Sequence, residues 1–155
     1  GSLVVDRCTS EWSGGGVMVG DGLQVVDEGL LRVQDCHAAQ EGGGVFAKEV
    51  NVSVNASLEL AHCSTVTSSG GCLRCTSLYS EAPIVMNDCH SGAAGGALFA
   101  GQSVVATTLT VINATSSSTG GAVSSGRGEV SIGRLVVEDV ATQYGVAVVT
   151  TGATK

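Results

Sequence analysis

The sequence predicts an all-β protein, a single-stranded right-handed parallel β-helix of about six coils with three short strands in each coil. Three observations lead to this fold class. A repeat of about 26 residues runs through the chain, glycine pairs recur at a fixed place in it, and the apolar residues are mostly small, since the hydrophobic fraction is 43% but aromatic residues make up only 3%. Self-similarity at such a period is typical of solenoids, in which each repeat packs on its neighbours.

Each copy of the repeat starts with an apolar strand, Leu-x-Val-x-x-Cys, and continues through polar residues to a glycine pair and a second strand. The first copy runs from Leu3 to Val17, and the sixth runs from Leu135 to Val146. The cysteine position is occupied in successive copies by Cys8, Cys36, Cys63, Cys89, Ala114 and Val140. These positions are 28, 27, 26, 25 and 26 residues apart, a variation that changes of loop length between stacked units produce.

A third β-rich segment completes most copies, as at 23–26 and 50–54. Three short strands in such a period make one coil of a parallel β-helix. The density of Gly, Thr and Val argues against long helices, and the recurring glycines are expected to form tight corners. A leucine-rich-repeat horseshoe is the nearest alternative, but its asparagine-ladder consensus and its helical half are missing from the sequence.

Positions that recur in successive coils of a β-helix stack at about 4.8 Å, the strand spacing of a sheet. Two inward aliphatic columns follow: Leu3 or Val4 with Leu31, Leu58, Ile84, Leu109 and Leu135, and Val5 with Val33, Leu60, Met86, Val111 and Val137. Because Cys interchanges with Ala and Val in the third column, we expect its thiols to be free, buried and apolar in role. Disulfides between adjacent coils are the alternative, although in-register Cβ atoms point alongside each other and strain that bond.

Polar residues flank the cysteine column. Before it stand Arg7, Asp35, His62, Asp88, Asn113 and Asp139, and after it stand Thr9, His37, Ser64, His90, Thr115 and Ala141. Both columns should point outward if the cysteines point inward, which places all three histidines in one patch and His62 between two carboxylates. One interpretation is a ladder of alternating charge. The other is a transition-metal site formed by His37, His62 and His90 with Asp35 or Asp88.

Cys72 and Cys75 form a C-x-x-C motif. A redox motif needs a helix N-terminus that lowers the pKa of the thiol, and a structural zinc site needs a second pair of ligands. The sequence indicates neither. Residues three apart on a strand face opposite sides, so one cysteine should be buried and the other exposed, and Cys75 is the candidate reactive thiol. Gly14-x-Gly16 echoes a dinucleotide-binding loop, but it recurs without a following helix, so no cofactor is predicted. The sequence shows no Asp-Asp or Arg-x-x-Lys cluster of the kind that β-helix polysaccharide enzymes use, so no catalytic residue is predicted either.

Composition limits the partners and the location. The net charge of −7 argues against nucleic-acid binding, and no apolar run reaches the roughly 18–20 residues needed to span a bilayer. Asn51, Asn55 and Asn113 begin Asn-x-Ser/Thr triplets and are candidate glycosylation sites, although a chain rich in Ser and Thr produces such triplets by chance. Together with six Cys, they favour a secreted, cell-surface or lumenal protein.

Residues 1–155 are predicted to form one β-helix repeat domain. Its first strand begins almost at once, and its last segment shows no amphipathic cap. Bare ends of a solenoid expose apolar core and unpaired backbone groups. Protein partners or further repeats are therefore expected to cap both ends.

The pattern Leu-x-Val-x-x-Cys followed by Gly-Gly-small-apolar resembles the Gly-Gly-Ala-Ile repeats of chlamydial polymorphic membrane proteins and related surface β-helices. Residues 95–99 match it most closely, whereas the Phe-x-x-Asn motif of that family is not evident. The resemblance implies a surface-exposed, adhesin-like passenger. The expected function is thus a non-catalytic structural or binding scaffold. A structural subunit of a larger assembly and a non-catalytic fragment of a polysaccharide-active β-helix enzyme are the alternatives.

Overall fold

A computed structural model describes residues 1–144 and 147–150. The end of the sixth predicted copy, at Val146, and the C-terminal segment 151–155 lie outside these residues. The described part is all-β and contains no helix. Its strands are β1 (Ser2–Asp6), β2 (Thr9–Ser10), β3 (Val17–Val25), β4 (Leu30–Gln34), β5 (His37–Ala38), β6 (Val45–Val52), β7 (Ser57–Thr65), β8 (Leu73–Ser91), β9 (Leu98–Ser116), β10 (Val123–Ser125), β11 (Val130–Thr142) and β12 (Val148–Thr150).

Every strand pairing in this part of the chain is parallel, and each coil lies in register on the next. Strand β1 pairs with β4, β4 with β7, β7 with β8, β8 with β9 and β9 with β11. The second face follows the same order through β3, β6, β8 and β9. The predicted β-solenoid is confirmed.

The structure forms about five turns, one fewer than predicted. The first strand of the repeat does occur six times, and the sixth coil is described only as far as its second-face strand, β12. The strands also divide differently from the prediction. The segment at 23–26 does not form a separate strand, because β3 runs on from Val17 through an irregularity between Val19 and Gly22 that absorbs the bend. In the later coils, β8 and β9 each run without interruption from one coil into the next.

The two predicted aliphatic columns form the interior of the coil. Leu31, Leu58, Ile84 and Leu109 are all buried, as are Val33, Leu60, Met86 and Val111. The register pairs each of these residues with its counterpart in the next coil. The interior is filled mostly by Leu, Val, Ala and Cys side chains, which form one buried cluster.

A glycine pair turns the chain before five second-face strands, β3, β6, β8, β9 and β10. The first glycine of each pair has a left-handed backbone, with φ of 65°, 60°, 73°, 66° and 64° at Gly14, Gly42, Gly70, Gly95 and Gly120. The second glycine is needed for a different reason. A Cβ atom at Gly43 would fall on the carbonyl oxygens of Gly71 and Ser64 in the next coil. The corner therefore allows the coils to approach to strand spacing.

The first coil leaves part of the core uncovered. Leu3 is 58% exposed, although its counterpart Leu31 is 4% exposed. A cavity of about 400 Å³ opens between the start of β1, the end of β3 and the start of β4, with Leu3, Leu23 and Leu31 among its lining residues. The apolar columns thus reach the surface at this end of the described stack.

Candidate functional site

The polar column before the cysteines forms a corner of the coil with left-handed backbone. Its six members have φ between 50° and 54°: Arg7, Asp35, His62, Asp88, Asn113 and Asp139. One left-handed residue turns the chain sharply between two extended segments, so the side chain at this position projects from the corner while the next residue returns to the core. Asp, Asn and His tolerate this conformation better than most residues. The prediction that this column faces outward is confirmed.

His62 lies between two carboxylates, as the column order predicts. Its Nδ1 atom is 3.2 Å from Asp35 Oδ1 in the preceding coil, and its Nε2 atom is 3.7 Å from Asp88 Oδ2 in the following coil. The side chains are 53%, 45% and 33% exposed, respectively, so water screens these contacts. The three residues form a ladder of alternating charge when the imidazole is protonated.

Asp88 also joins the column that follows the cysteines. Its Oδ1 atom lies 3.1 Å from His90 Nε2 and accepts a hydrogen bond from the Asn113 amide at 2.7 Å. The Nδ1 atom of His90 is 2.6 Å from the hydroxyl oxygen of Thr115. The Asp88 carboxylate is therefore the point at which side chains from three successive coils meet.

His37 does not join this network. Its Nδ1 atom lies 2.7 Å from the Ser64 hydroxyl oxygen. Ser64 is paired in turn with His90, so the two histidines stand two coils apart, about 9.6 Å along the stack. The predicted five-residue metal set thus does not converge, and within residues 1–144 and 147–150 no group of three or more His, Cys, Asp or Glu side chains forms a ready metal site.

The expectation that one cysteine of the C-x-x-C motif is exposed is wrong. Cys72 is fully buried and Cys75 is 1% exposed. The opposite-face argument fails because Cys72 belongs to the corner that precedes β8, whereas Cys75 lies within that strand. Burial raises the pKa of the Cys75 thiol from 9.0 to about 12, with a smaller opposing effect of the Arg74 charge. Both the burial and the raised pKa count against Cys75 as a reactive thiol.

The expectation of free thiols throughout the cysteine column is also wrong at Cys89. Cys89 forms a disulfide with Cys72, with the two Cα atoms 5.4 Å apart, while Cys8, Cys36 and Cys63 are free. The bond does not run along the column, where the Cβ atoms of in-register cysteines would point alongside each other and strain it. It crosses from the column to the corner of the preceding coil, where the Cα atoms are at a distance that a disulfide spans. Burial raises the pKa of Cys63 to about 12.

The three candidate glycosylation sites lie in different surroundings. Asn55 is exposed in the turn between β6 and β7. Asn51 lies within β6 on the outward face, in register with Tyr79. Asn113 occupies the left-handed corner, where its amide donates to Asp88. Of the three, Asn55 has the exposed turn that a glycan acceptor favours.

Sequence reasoning missed a column of hydroxyl groups that closes the loops. Each hydroxyl donates a hydrogen bond to the carbonyl three residues later: Ser10 to Ser13, Thr65 to Ser68, Ser91 to Ala94 and Ser116 to Thr119. The Ser91 hydroxyl also lies 2.9 Å from the Ser68 carbonyl oxygen of the preceding coil. The signal was the recurrence of Ser or Thr two places after the cysteine column.

Sequence reasoning also missed an outward column on the second face, where Phe46, Arg74 and Phe99 are in register. The Arg74 guanidinium carbon lies 4.5 Å from the centre of the Phe99 ring, a cation–π contact. Its Nε atom lies 3.2 Å from Glu41 Oε1. Arg74 is thereby held against the surface.

Among the described residues, no helix is long and apolar enough to cross a membrane. No family model matches this chain, and neither a curated protein nor a solved structure matches it.

Proposed function

We propose that the chain is a rigid, non-catalytic scaffold, a segment of a secreted or surface-displayed β-helix with an adhesin-like role. The observation that carries this proposal is the use of its charged side chains to join neighbouring coils. Arg32 pairs with Glu59 at 2.6 Å, Arg74 with Glu41, and His62 with Asp35 and Asp88. Such pairs hold strands in register along the stack, whereas a reaction centre needs groups that converge on a substrate.

Stiffness supports the same role. Each inner coil is hydrogen-bonded along its strands to a coil on either side, and its interior is filled by buried side chains. About five coils at strand spacing give a rod about 24 Å long. A rod of this kind holds its loops at constant separations, which suits display or spacing.

The proposed location is supported by two features. The Cys72–Cys89 disulfide is of a kind that persists in oxidising compartments, and Asn55 offers an exposed acceptor for a glycan. The adhesin-like role itself is supported by the resemblance of the glycine-pair repeat to surface β-helices.

The test is the intact mass of the natural polypeptide from its source, before and after deglycosylation. A long glycosylated polypeptide with an oxidised Cys72–Cys89 pair is the expected result. An unmodified polypeptide close to 15.4 kDa with reduced cysteines would contradict the location. Release of reducing ends from a polysaccharide panel would contradict the non-catalytic role and favour a polysaccharide-active enzyme.

A structural subunit of a larger assembly is the second candidate. The cavity beside Leu3, Leu23 and Leu31 is a surface against which a partner subunit would pack. The same isolation experiment separates the candidates. A short polypeptide that co-purifies in a fixed ratio with a partner covering Leu3 would support the subunit, and a long single chain would support the scaffold.

A further inference from the structure

An open groove crosses three coils where β3 and β6 end and β8 continues. Its cavity volume is about 240 Å³. The side chains that line it belong mainly to two columns, two residues apart along each strand, so both columns point away from the core. Val25, Val52 and Ser80, which lie between the two columns, are buried. The columns are Gln24, Asn51 and Tyr79, and Val26, Ser53 and Glu81.

The groove exists because a short side chain lies between two longer ones. Asn51 is in register with Gln24 in the preceding coil and with Tyr79 in the following coil. Strand spacing of about 4.8 Å places the three side chains next to each other. Since the Asn51 side chain is the shortest, its amide forms the floor of the groove, and Gln24 and Tyr79 form opposite walls.

Tyr79 is held in place and is also open to solvent. Its hydroxyl donates a hydrogen bond to Glu81 Oε1 at 2.9 Å, and the residue is 48% exposed. Glu81 raises the pKa of the Tyr79 phenol, first by accepting this hydrogen bond and then by its charge, so the phenol stays neutral. An aromatic ring that is already oriented offers its face to a ligand at a small cost in conformational entropy.

The polar groups of the groove match the hydroxyls of a sugar. The amides of Gln24 and Asn51 and the hydroxyl of Ser53 can both donate and accept hydrogen bonds, as sugar hydroxyls do. The C–H groups of a sugar ring pack on the face of an aromatic ring, which Tyr79 provides. Among the described residues that line the groove, only Glu81 is charged, so an anionic saccharide would be repelled.

The size of the groove limits how much of a saccharide it can take. Its volume of about 240 Å³ is below the roughly 300–1,000 Å³ of pockets that enclose drug-sized ligands. One sugar ring is therefore the part that fits, and the rest of an oligosaccharide would lie along the outer surface of the coils.

We propose that this groove binds one ring of a neutral saccharide, with the ring packed on Tyr79 and its hydroxyls bonded to Gln24 and Asn51. The inference rests on the proposed scaffold role and gives that role a class of ligand. Glu81 holds the Tyr79 hydroxyl at the edge of the groove. A glycan attached to Asn51 would fill the groove, so Asn51 is expected to be unmodified, whereas a glycan on Asn55 is compatible with binding.

The test is a titration of isotope-labelled, folded, glycan-free protein, followed by backbone amide NMR spectra. The probes are the neutral tetrasaccharides cellotetraose, mannotetraose and chitotetraose, with tetragalacturonate as the anionic control. At least one neutral probe should shift the amide signals of Asn51 and Tyr79 in a saturable way, with a dissociation constant in the millimolar range or below. The anionic control should leave them unchanged.

Variants at Tyr79 separate the aromatic ring from its hydroxyl. Val105 occupies this position in the next coil, so Tyr79→Val should fold, and it should weaken binding at least tenfold because the ring face is lost. Tyr79→Phe keeps the ring face and should bind within about threefold of the wild-type protein. The matched control is Tyr144→Val, which removes an exposed tyrosine outside the groove and should bind as the wild-type protein does.

Absence of amide shifts with all three neutral probes, up to their solubility limits, overturns the proposal. Unchanged binding by folded Tyr79→Val or a glycan on Asn51 of the natural protein also overturns it. These results would leave the scaffold role standing, because that role is tested by the mass of the natural polypeptide. Cleavage of a bound tetrasaccharide during the titration would have the opposite meaning, since it would support binding in the groove and contradict the non-catalytic role.

Discussion

At the scale of single residues, the left-handed backbone of the polar corner explains why Asp, Asn and His recur at this position of the repeat. Five of the six corner positions carry Asp, Asn or His, and only Arg7 departs from this group. Asp and Asn adopt the left-handed conformation because their short polar side chains can form local hydrogen bonds there, whereas this conformation costs other non-glycine residues about 1–2 kcal/mol. Arg7 makes its ion pair with the adjacent Asp6, and its side chain is 83% exposed, so the pair contributes little.

Replacing Arg7 with Asn should therefore stabilise the protein. We expect Arg7→Asn to raise the free energy of unfolding by about 0.5–1 kcal/mol, because Asn tolerates the left-handed corner. Urea denaturation measures the change. Arg134→Asn is the control, since Arg134 is exposed within β11 and has no left-handed backbone, and it should leave stability unchanged or slightly lower it. A loss of stability in Arg7→Asn would contradict the interpretation.

The buried thiol of Cys75 should make the protein sensitive to alkaline pH. Its pKa is about 12 in the folded protein against an ordinary value of 9.0, because burial disfavours the thiolate. Below pH 9 the thiol is protonated in both states and contributes fully. Between pH 9 and 12 the unfolded chain loses this proton and the folded chain keeps it, so stability falls as pH rises.

The check is urea denaturation at pH 8 and pH 10 for the wild-type protein and Cys75→Ala. Alanine occupies the equivalent position in both neighbouring coils, at Ala47 and Ala100, so the variant should fold. Its loss of stability between the two pH values should be smaller than that of the wild-type protein. Parallel losses in the two proteins would show that Cys75 does not cause the sensitivity.

At the scale of elements, the glycine corners decide how closely one coil approaches the next. The backbone N–H of Gly43 donates to the Gly70 carbonyl at 3.2 Å, and that of Gly15 donates to Gly42 in the same way. A corner with side chains at the second glycine would hold the loops apart and break these bonds. The strands on either side could then not remain at hydrogen-bonding distance.

Gly43→Ala tests this role. Because its Cβ would fall on two carbonyl oxygens of the next coil, we expect a loss of at least about 2 kcal/mol in the free energy of unfolding, in the range of overpacked cores. Gly20→Ala is the matched control, since a Cβ there meets nothing within 4 Å. Thermal or urea denaturation compares the two. A mild effect at Gly43 equal to that at Gly20 would show that the loops can separate without cost.

At the scale of the whole molecule, stability comes from coils that pack only on their neighbours, so a covalent link between two coils affects the stack locally. The Cys72–Cys89 disulfide spans 17 residues and joins the corner of the third coil to the first strand of the fourth. The next coil has Ala114 at the position of Cys89, and Ala97 follows Cys72 in the corner column. Both positions thus accept alanine.

The double variant Cys72→Ala/Cys89→Ala should keep the fold and lose stability. The loop closed by the disulfide corresponds to about 3 kcal/mol of unfolding free energy. Far-ultraviolet circular dichroism should be unchanged, and the urea midpoint should fall. Reduced wild-type protein is the control and should unfold at nearly the same midpoint as the variant. An unchanged midpoint in the variant would mean that the disulfide does not constrain the unfolded chain.

Recurrence along the chain was enough to predict the solenoid, its register and the neighbours of His62, because columns follow from counting residues between copies. It was not enough for the corner or the disulfide. The left-handed backbone at Asp35 and its counterparts was missed because alternation along a strand describes straight segments only. The Cys72–Cys89 bond was missed because it joins two different columns, whose separation depends on the path of the chain between them.

The amino-acid sequence alone determined that this chain stacks into a β-solenoid, which aliphatic positions fill its interior, and which polar residues share an outward corner. These features follow from a period that hydrogen bonding between parallel strands imposes on every coil. Only the tertiary structure decided that His37 stands apart from His62, that Asp88 receives both His62 and His90, and that Cys75 is buried. These depend on the angle at each corner, and a corner is set by contacts between coils that no single repeat contains.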